Sequence, residues 1–160
     1  MRKYSRKTLL KSLPEGMVFE KLLAINFIPL LTAIMERQAY LDVGGVSDHF
    51  RYSEDYELFL KLAAIRKVRA VQHVVALYRV HESNISVQGP EKFLNESIEI
   101  ISKYFPNPAA ILGLRKHHSY YAFSLIKGRQ FLKGLQYLNM HGSWKDFWFF
   151  LRLKACRYPG

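Results

Sequence analysis

The stretch Ser53-Glu54-Asp55-Tyr56-Glu57-Leu58-Phe59-Leu60 opens a helix. Ser53 is a residue type that caps free backbone N–H groups, and the apolar positions Leu58, Leu62 and Ile65 recur at three- and four-residue spacing. Asp55 then falls in the first turn, where unpaired N–H groups and the helix dipole favour an ionised carboxylate able to accept a proton from a hydroxyl. First-turn acids are also an ordinary way to begin a helix, so Glu54 and Asp55 alone do not separate chemistry from decoration. Downstream, Tyr78-Arg79-Val80-His81 reads as a strand end with a guanidinium and an imidazole suited to a phosphate or a metal. Together the two runs point to transfer chemistry on a phosphorylated donor.

The order of the flanking segments adds to this. Upstream lie Asn26-Phe27-Ile28-Pro29, Thr32-Ala33-Ile34-Met35-Glu36-Arg37 and Leu41-Asp42-Val43-Gly44-Gly45-Val46-Ser47-Asp48-His49-Phe50. Downstream runs Ala76-Leu77-Tyr78-Arg79-Val80-His81-Glu82-Ser83-Asn84-Ile85-Ser86. This succession, over about residues 15–90, resembles the C-terminal half of the catalytic domain of family 2 glycosyltransferases, which have the GT-A fold.

The resemblance implies roles for individual positions. Asp55 takes the place of the catalytic base for an inverting displacement, with Glu54 beside it shaping the acceptor site. Gly44, Gly45 and Asp48 frame the acceptor-binding loop. Arg79 is the phosphate-contact candidate and His81 the metal-ligand candidate, while Ser86 belongs to the loop closing over the nucleotide. A divalent metal, Mn or Mg, is expected for the complete enzyme. The implied partners are a nucleotide-sugar donor and a saccharide or lipid-linked acceptor, in surface polysaccharide or glycoconjugate synthesis.

A complete GT-A domain also contains a nucleotide-binding half with an Asp-x-Asp metal motif, and no Asp-x-Asp occurs in these 160 residues. The expectation is a C-terminal portion of such an enzyme, inactive alone, from a truncated or split reading frame, with the N-terminal half on another chain. The expected fold class is α/β, mostly helical. Residues 1–89 form the partial GT-A-like half-domain with a few strands, and residues 90–160 a helical extension.

Composition agrees with one core plus an extension. With 49% hydrophobic and 14% aromatic residues the chain is not compositionally disordered, and a formal charge of +11 favours polyanions. Nucleic acid is excluded as partner, since there is no zinc-finger spacing, RNP-like run or heptad-linked basic region. An anionic membrane surface fits better. The single cysteine, Cys156, rules out an internal disulfide and fits a reducing compartment. No secretory signal is evident. The longest apolar stretch, Leu22 to Met35, is broken by Asn26, Pro29 and Thr32 and falls short of the roughly 20 residues of a spanning helix. The expected location is cytoplasmic, at the inner face of the membrane.

Along the chain, periodicity predicts helices over residues 6–12 and 17–25, a buried strand Leu30–Met35, and a helix Arg37–Val43 stopped by Gly44-Gly45. Strands are predicted at Val68–Val71 and Val74–Tyr78, where β-branched residues cluster. Beyond Gly89-Pro90 the pattern is helical, with an amphipathic helix through Phe93, Leu94, Ile98, Ile101 and Tyr104 and further helices at about 109–127, 129–140 and 143–156. Ser143-x-x-Asp146 reads as a capping box.

The last helix interleaves Trp144, Phe147, Trp148, Phe149, Phe150 and Leu151 with Lys145, Arg152, Lys154 and Arg157. That mixture suits a membrane interface, yet four successive aromatics cover more than one face and some must pack as core. His117-His118 is no metal pair, because adjacent helical residues diverge by about 100°, and a surface position is expected for both. Two function classes remain: a glycosyltransferase portion, and a non-catalytic helical module that docks on a polypeptide or a membrane.

Overall fold

The computed structural model describes residues 4–5, 13–71, 73, 75–79, 84 and 89–155, with side chains from residue 13 to residue 151. As expected, the chain is mostly helical, with little strand. The predicted helix over residues 6–12 and Cys156 lie outside the described residues.

Among the described residues seven α-helices follow one another: α1 (Phe19–Ala24), α2 (Arg37–Asp42), α3 (Glu54–Ile65), α4 (Pro90–Ser102), α5 (Pro108–Lys127), α6 (Phe131–His141) and α7 (Trp144–Ala155). Strands β1 (Tyr4–Ser5) and β2 (Tyr78–Arg79) form a short antiparallel ribbon in which Tyr4 pairs with Arg79 and Ser5 with Tyr78. The 20-residue α5 is the central strut, packing on α1, α4, α6 and α7. It begins where its sequence says it should. Pro108 occupies the first turn, where no intrahelical N–H is needed, and Asn107 Oδ1 accepts from Ala109 N at 2.7 Å.

The main core joins both sides of the Gly89–Pro90 turn. Val18, Leu22 and Leu23 from α1 and its approach, Phe50, and Tyr56, Phe59, Leu60 and Ala63 from α3 pack with Ile100, Ile101 and Ala110. Gly113 lets α5 meet α1 backbone to backbone, since a Cβ there would collide with the Leu23 carbonyl oxygen. A second cluster, Ala122, Phe123, Leu138, Phe147 and Phe150, ties α6 and α7 to α5.

Three strand expectations are corrected. Leu30–Met35 is no buried strand: Leu30–Thr32 is a 3₁₀ turn closed by Thr32 N donating to the Pro29 carbonyl, and Ile34 is fully exposed. Val68–Val71 contributes one isolated bridge, Val68 to Gly16, and among the described residues of Val74–Tyr78 only Tyr78 lies in a strand. Val71, Val75 and Leu77 are exposed. The physical reason is common to all three. β-propensity expresses fit to a neighbouring pleated strand, and among the described residues these segments find no pairing beyond the Val68 bridge and the Tyr78 end of β2.

Candidate active site

Asp55 stands half-buried in the first turn of α3, beside Glu54. Burial raises its proton affinity above that of an ordinary aspartate, and the adjacent Glu54 charge raises it further, against the N–H groups of Tyr56 and Asp55 itself. A carboxyl group tuned in this direction is a stronger base than an exposed one.

Ser53 is the first residue before the helix, but its side chain does not cap it. The Ser53 hydroxyl is buried and faces Ser97 Oγ at 3.5 Å. The capping expectation is therefore corrected: α4 holds the entry to α3 from outside. Glu96 Oε2 accepts from Tyr52 N at 2.7 Å and Ser53 N at 2.8 Å, and its Oε1 accepts from Arg51 N at 3.1 Å. One carboxylate thus satisfies three successive amides, charge-assisted bonds that lock the turn carrying the Glu-Asp pair.

The same side of α4 continues the grip. Glu99 Oε1 lies 2.8 Å from His49 Nε2, and Lys103 Nζ sits 4.7 Å over the Phe50 ring. Lys103 also donates to Glu57 Oε1 at 2.9 Å, while Lys61 donates to Glu57 Oε2 at 3.1 Å. Burial alone would push the Glu57 carboxyl up, but the hydrogen bonds and charges of Lys103 and Lys61 outweigh it and hold it below the usual range. Glu57 is thus an ion-paired structural anchor two residues after Asp55 in the same first turn.

Sequence reasoning missed Glu96, Glu99 and Lys103. Their spacing of three and four residues was the available signal, a charged row along one side of a helix otherwise assigned to the extension.

Gly44 and Gly45 end α2 with φ of 80° and 67°, the left-handed backbone that glycine adopts at low cost. At Gly45 the Tyr40 ring also leaves no room for a side chain: a Cβ would lie 2.9 Å from its Cζ. Val46 N then donates to Tyr40 Oη at 3.3 Å, so the loop leaves α2 along a set path, with Asp48 exposed on it.

Arg79 is exposed on β2, which Asn84 secures by donating from Nδ2 to the Arg79 carbonyl at 3.0 Å and to Tyr78 Oη at 2.9 Å. Among the described residues no hydrogen bond or ion pair links Arg79 to Glu54 or Asp55. His81 and Ser86 lie outside the described residues. No group of three or more His, Cys, Asp or Glu among the described residues could hold a metal ion.

The histidine pair diverges as its spacing predicts, but neither ring is on the open surface, which corrects that expectation. His117 stacks on Tyr56 at 5.7 Å with a buried Nε2 that has no partner, and burial, then the His118 charge, lowers its pKa to about 4. His118 Nδ1 lies 2.8 Å from Tyr137 Oη, and its ring stacks on His141. At α7 the capping box is absent. Asp146 accepts from Arg115 Nε at 2.7 Å, and Ser143 N donates to Ser119 Oγ at 2.9 Å.

No curated protein and no solved structure matches the chain. The family described as glycosyltransferase like family 2 has a model that matches residues 1–141. Those residues contain the Glu-Asp turn, the α4 carboxylate that grips it and all of α5 and α6, and the chain belongs to this glycosyltransferase-like family.

Proposed function

We propose that the chain carries the acceptor side of an inverting glycosyltransferase, with Asp55 as general base. The acceptor hydroxyl of a saccharide or lipid-linked substrate gives its proton to the Asp55 carboxylate as its oxygen attacks the anomeric carbon of a nucleotide sugar. The bond from that carbon to the donor diphosphate breaks on the opposite side, and the configuration inverts. Glu54 raises the basicity of Asp55 and shapes the acceptor pocket with the Gly44–Asp48 loop. Arg79 meets the charge that develops on the departing diphosphate.

The divalent metal of such enzymes finds no fitting ligand group among the described residues, so no step here runs through it. Residues beyond these, including an Asp-x-Asp-bearing nucleotide-binding half, supply the donor site in this reading, within surface polysaccharide or glycoconjugate synthesis.

The observation that carries the proposal is the Glu54–Asp55 turn, with its raised Asp55 proton affinity, fixed in place by Glu96. In an enzyme completed with a matching nucleotide-binding half, Asp55→Asn should lower the rate of nucleoside diphosphate release by at least about a hundredfold without changing the circular dichroism. Near-normal turnover would remove Asp55 from the chemistry.

A further inference from the structure

Charge and apolar exposure coincide on one part of the fold. After Ile100 the sequence carries ten Lys and Arg residues and one acid, Asp146, with the other twelve acids before it. Asp146 is buried and ion-paired to Arg115, so the α6–α7 hairpin presents no acidic side chain to solvent.

On α7, Asp146, Phe147 and Phe150 turn inward, and Trp144, Lys145, Trp148, Phe149 and Leu151 face solvent. Trp148 is 55% exposed and Trp144 47%. The Trp144 indole donates to Asn139 Oδ1 at 3.0 Å, which joins this surface to the outer side of α6, where Leu132, Leu135 and Met140 are exposed beside Lys133. Lys116 Nζ lies 5.7 Å over the Phe149 ring. Only part of the aromatic run is therefore core, and of the exposed part Phe149 lies under a lysine while Trp148 stands open to solvent.

We infer that the exposed face of α6 and α7 is a docking surface for an anionic lipid bilayer, with α7 lying in the headgroup plane. Indole and phenyl rings settle at the boundary between headgroups and acyl chains, while lysines meet lipid phosphates. Among the described residues no helix is long and apolar enough to cross a membrane, which fits lying on it. A single-stranded nucleic acid would also meet the charges and stack on the rings, but would leave Leu132, Leu135, Met140 and Leu151 in water. The role of Asp55 does not enter this surface.

Both tryptophans of the chain lie on this face, so intrinsic fluorescence reads insertion directly. The full chain should co-sediment with phosphatidylglycerol-rich vesicles with a blue shift in emission, bind pure phosphatidylcholine weakly, and weaken as salt rises. Lys145→Glu combined with Phe149→Ser keeps both tryptophans and should lower partitioning at least about tenfold. Arg69→Glu, at an exposed cation outside the α6–α7 hairpin, should leave partitioning nearly unchanged. Should the double variant misfold, Lys133→Glu serves in its place.

Several results would overturn the inference: no binding to anionic vesicles, binding without an emission change, or equal losses in the face and control variants. Tighter binding to single-stranded DNA with the same blue shift would reassign the surface to nucleic acid. Blue-shifted emission already present in a vesicle-free dimer would reassign it to a second copy of the chain.

Discussion

Glu96 on α4 accepts the Ser53 backbone N–H at 2.8 Å, so the turn that presents Asp55 is held by a side chain more than forty residues further along the chain. With Tyr52 N at 2.7 Å and Arg51 N at 3.1 Å on the same carboxylate, three amides depend on one residue.

Glu96→Ala leaves those amides without their acceptor. Hydrogen bonds to a charged group contribute about 1.5–3 kcal/mol each and are not additive here, so a loss of about 2–4 kcal/mol is expected in urea unfolding. Glu96→Gln, which keeps one oxygen, should lose less. Unchanged stability of the alanine variant would show that the clamp contributes nothing.

The pH dependence of turnover follows from the direction of the Asp55 shift. A base works only when deprotonated, so in a completed enzyme activity falls as pH drops through a pKa raised above the ordinary aspartate value. Glu54→Gln removes the second cause of that rise and should move the acid limb of kcat/KM to lower pH. Burial is the larger cause and stays, so the displacement is partial. A limb that does not move would disconnect Glu54 from Asp55.

His117 predicts an acid-sensitive fold. Its pKa is about 4 in the folded chain against 6.5 ordinarily, so between those values the unfolded chain binds the extra proton. Stability should be full above pH 6.5 and decline as pH falls toward 4, by at most roughly 3 kcal/mol. His118, also held low by burial and then by His141, acts in the same direction. Urea midpoints at pH 7.5 and pH 5 should converge in His117→Phe relative to the parent chain. An identical slope in both would place the sensitivity elsewhere.

Gly113 sets the spacing between α5 and α1. Gly113→Ala gains helix propensity but drives a methyl group onto the Leu23 carbonyl, and neither backbone can yield without moving a helix. Overpacking of this kind costs about 1–3 kcal/mol, measurable by thermal or urea unfolding. A neutral or stabilised variant would mean that α1 shifts freely.

Local signals were sufficient wherever a feature depends only on neighbours along the chain. The α3 start near Glu54, the Gly44-Gly45 stop after α2, Pro90 at a helix start, and the helices of the C-terminal part were all legible, because φ restrictions and the 3.6-residue period act within a few residues. The family motifs were legible for the same reason, as short runs in a fixed order.

Tertiary structure alone decided which apolar segments find partners and which side chains face one another. Leu30–Met35 and Val68–Val71 have the composition of strands, but a strand exists only with a ladder, and pairing is a long-range event that composition does not encode. Glu96 reaching Ser53, Lys103 reaching Glu57, and Asp146 turning from its own helix start to Arg115 likewise needed α4 and α5 packed in place. The aromatic run of α7 divided the same way. Its sequence contained both core and surface, and the contact with α5 determined that Phe147 and Phe150 are buried while Trp144 and Trp148 remain in solvent.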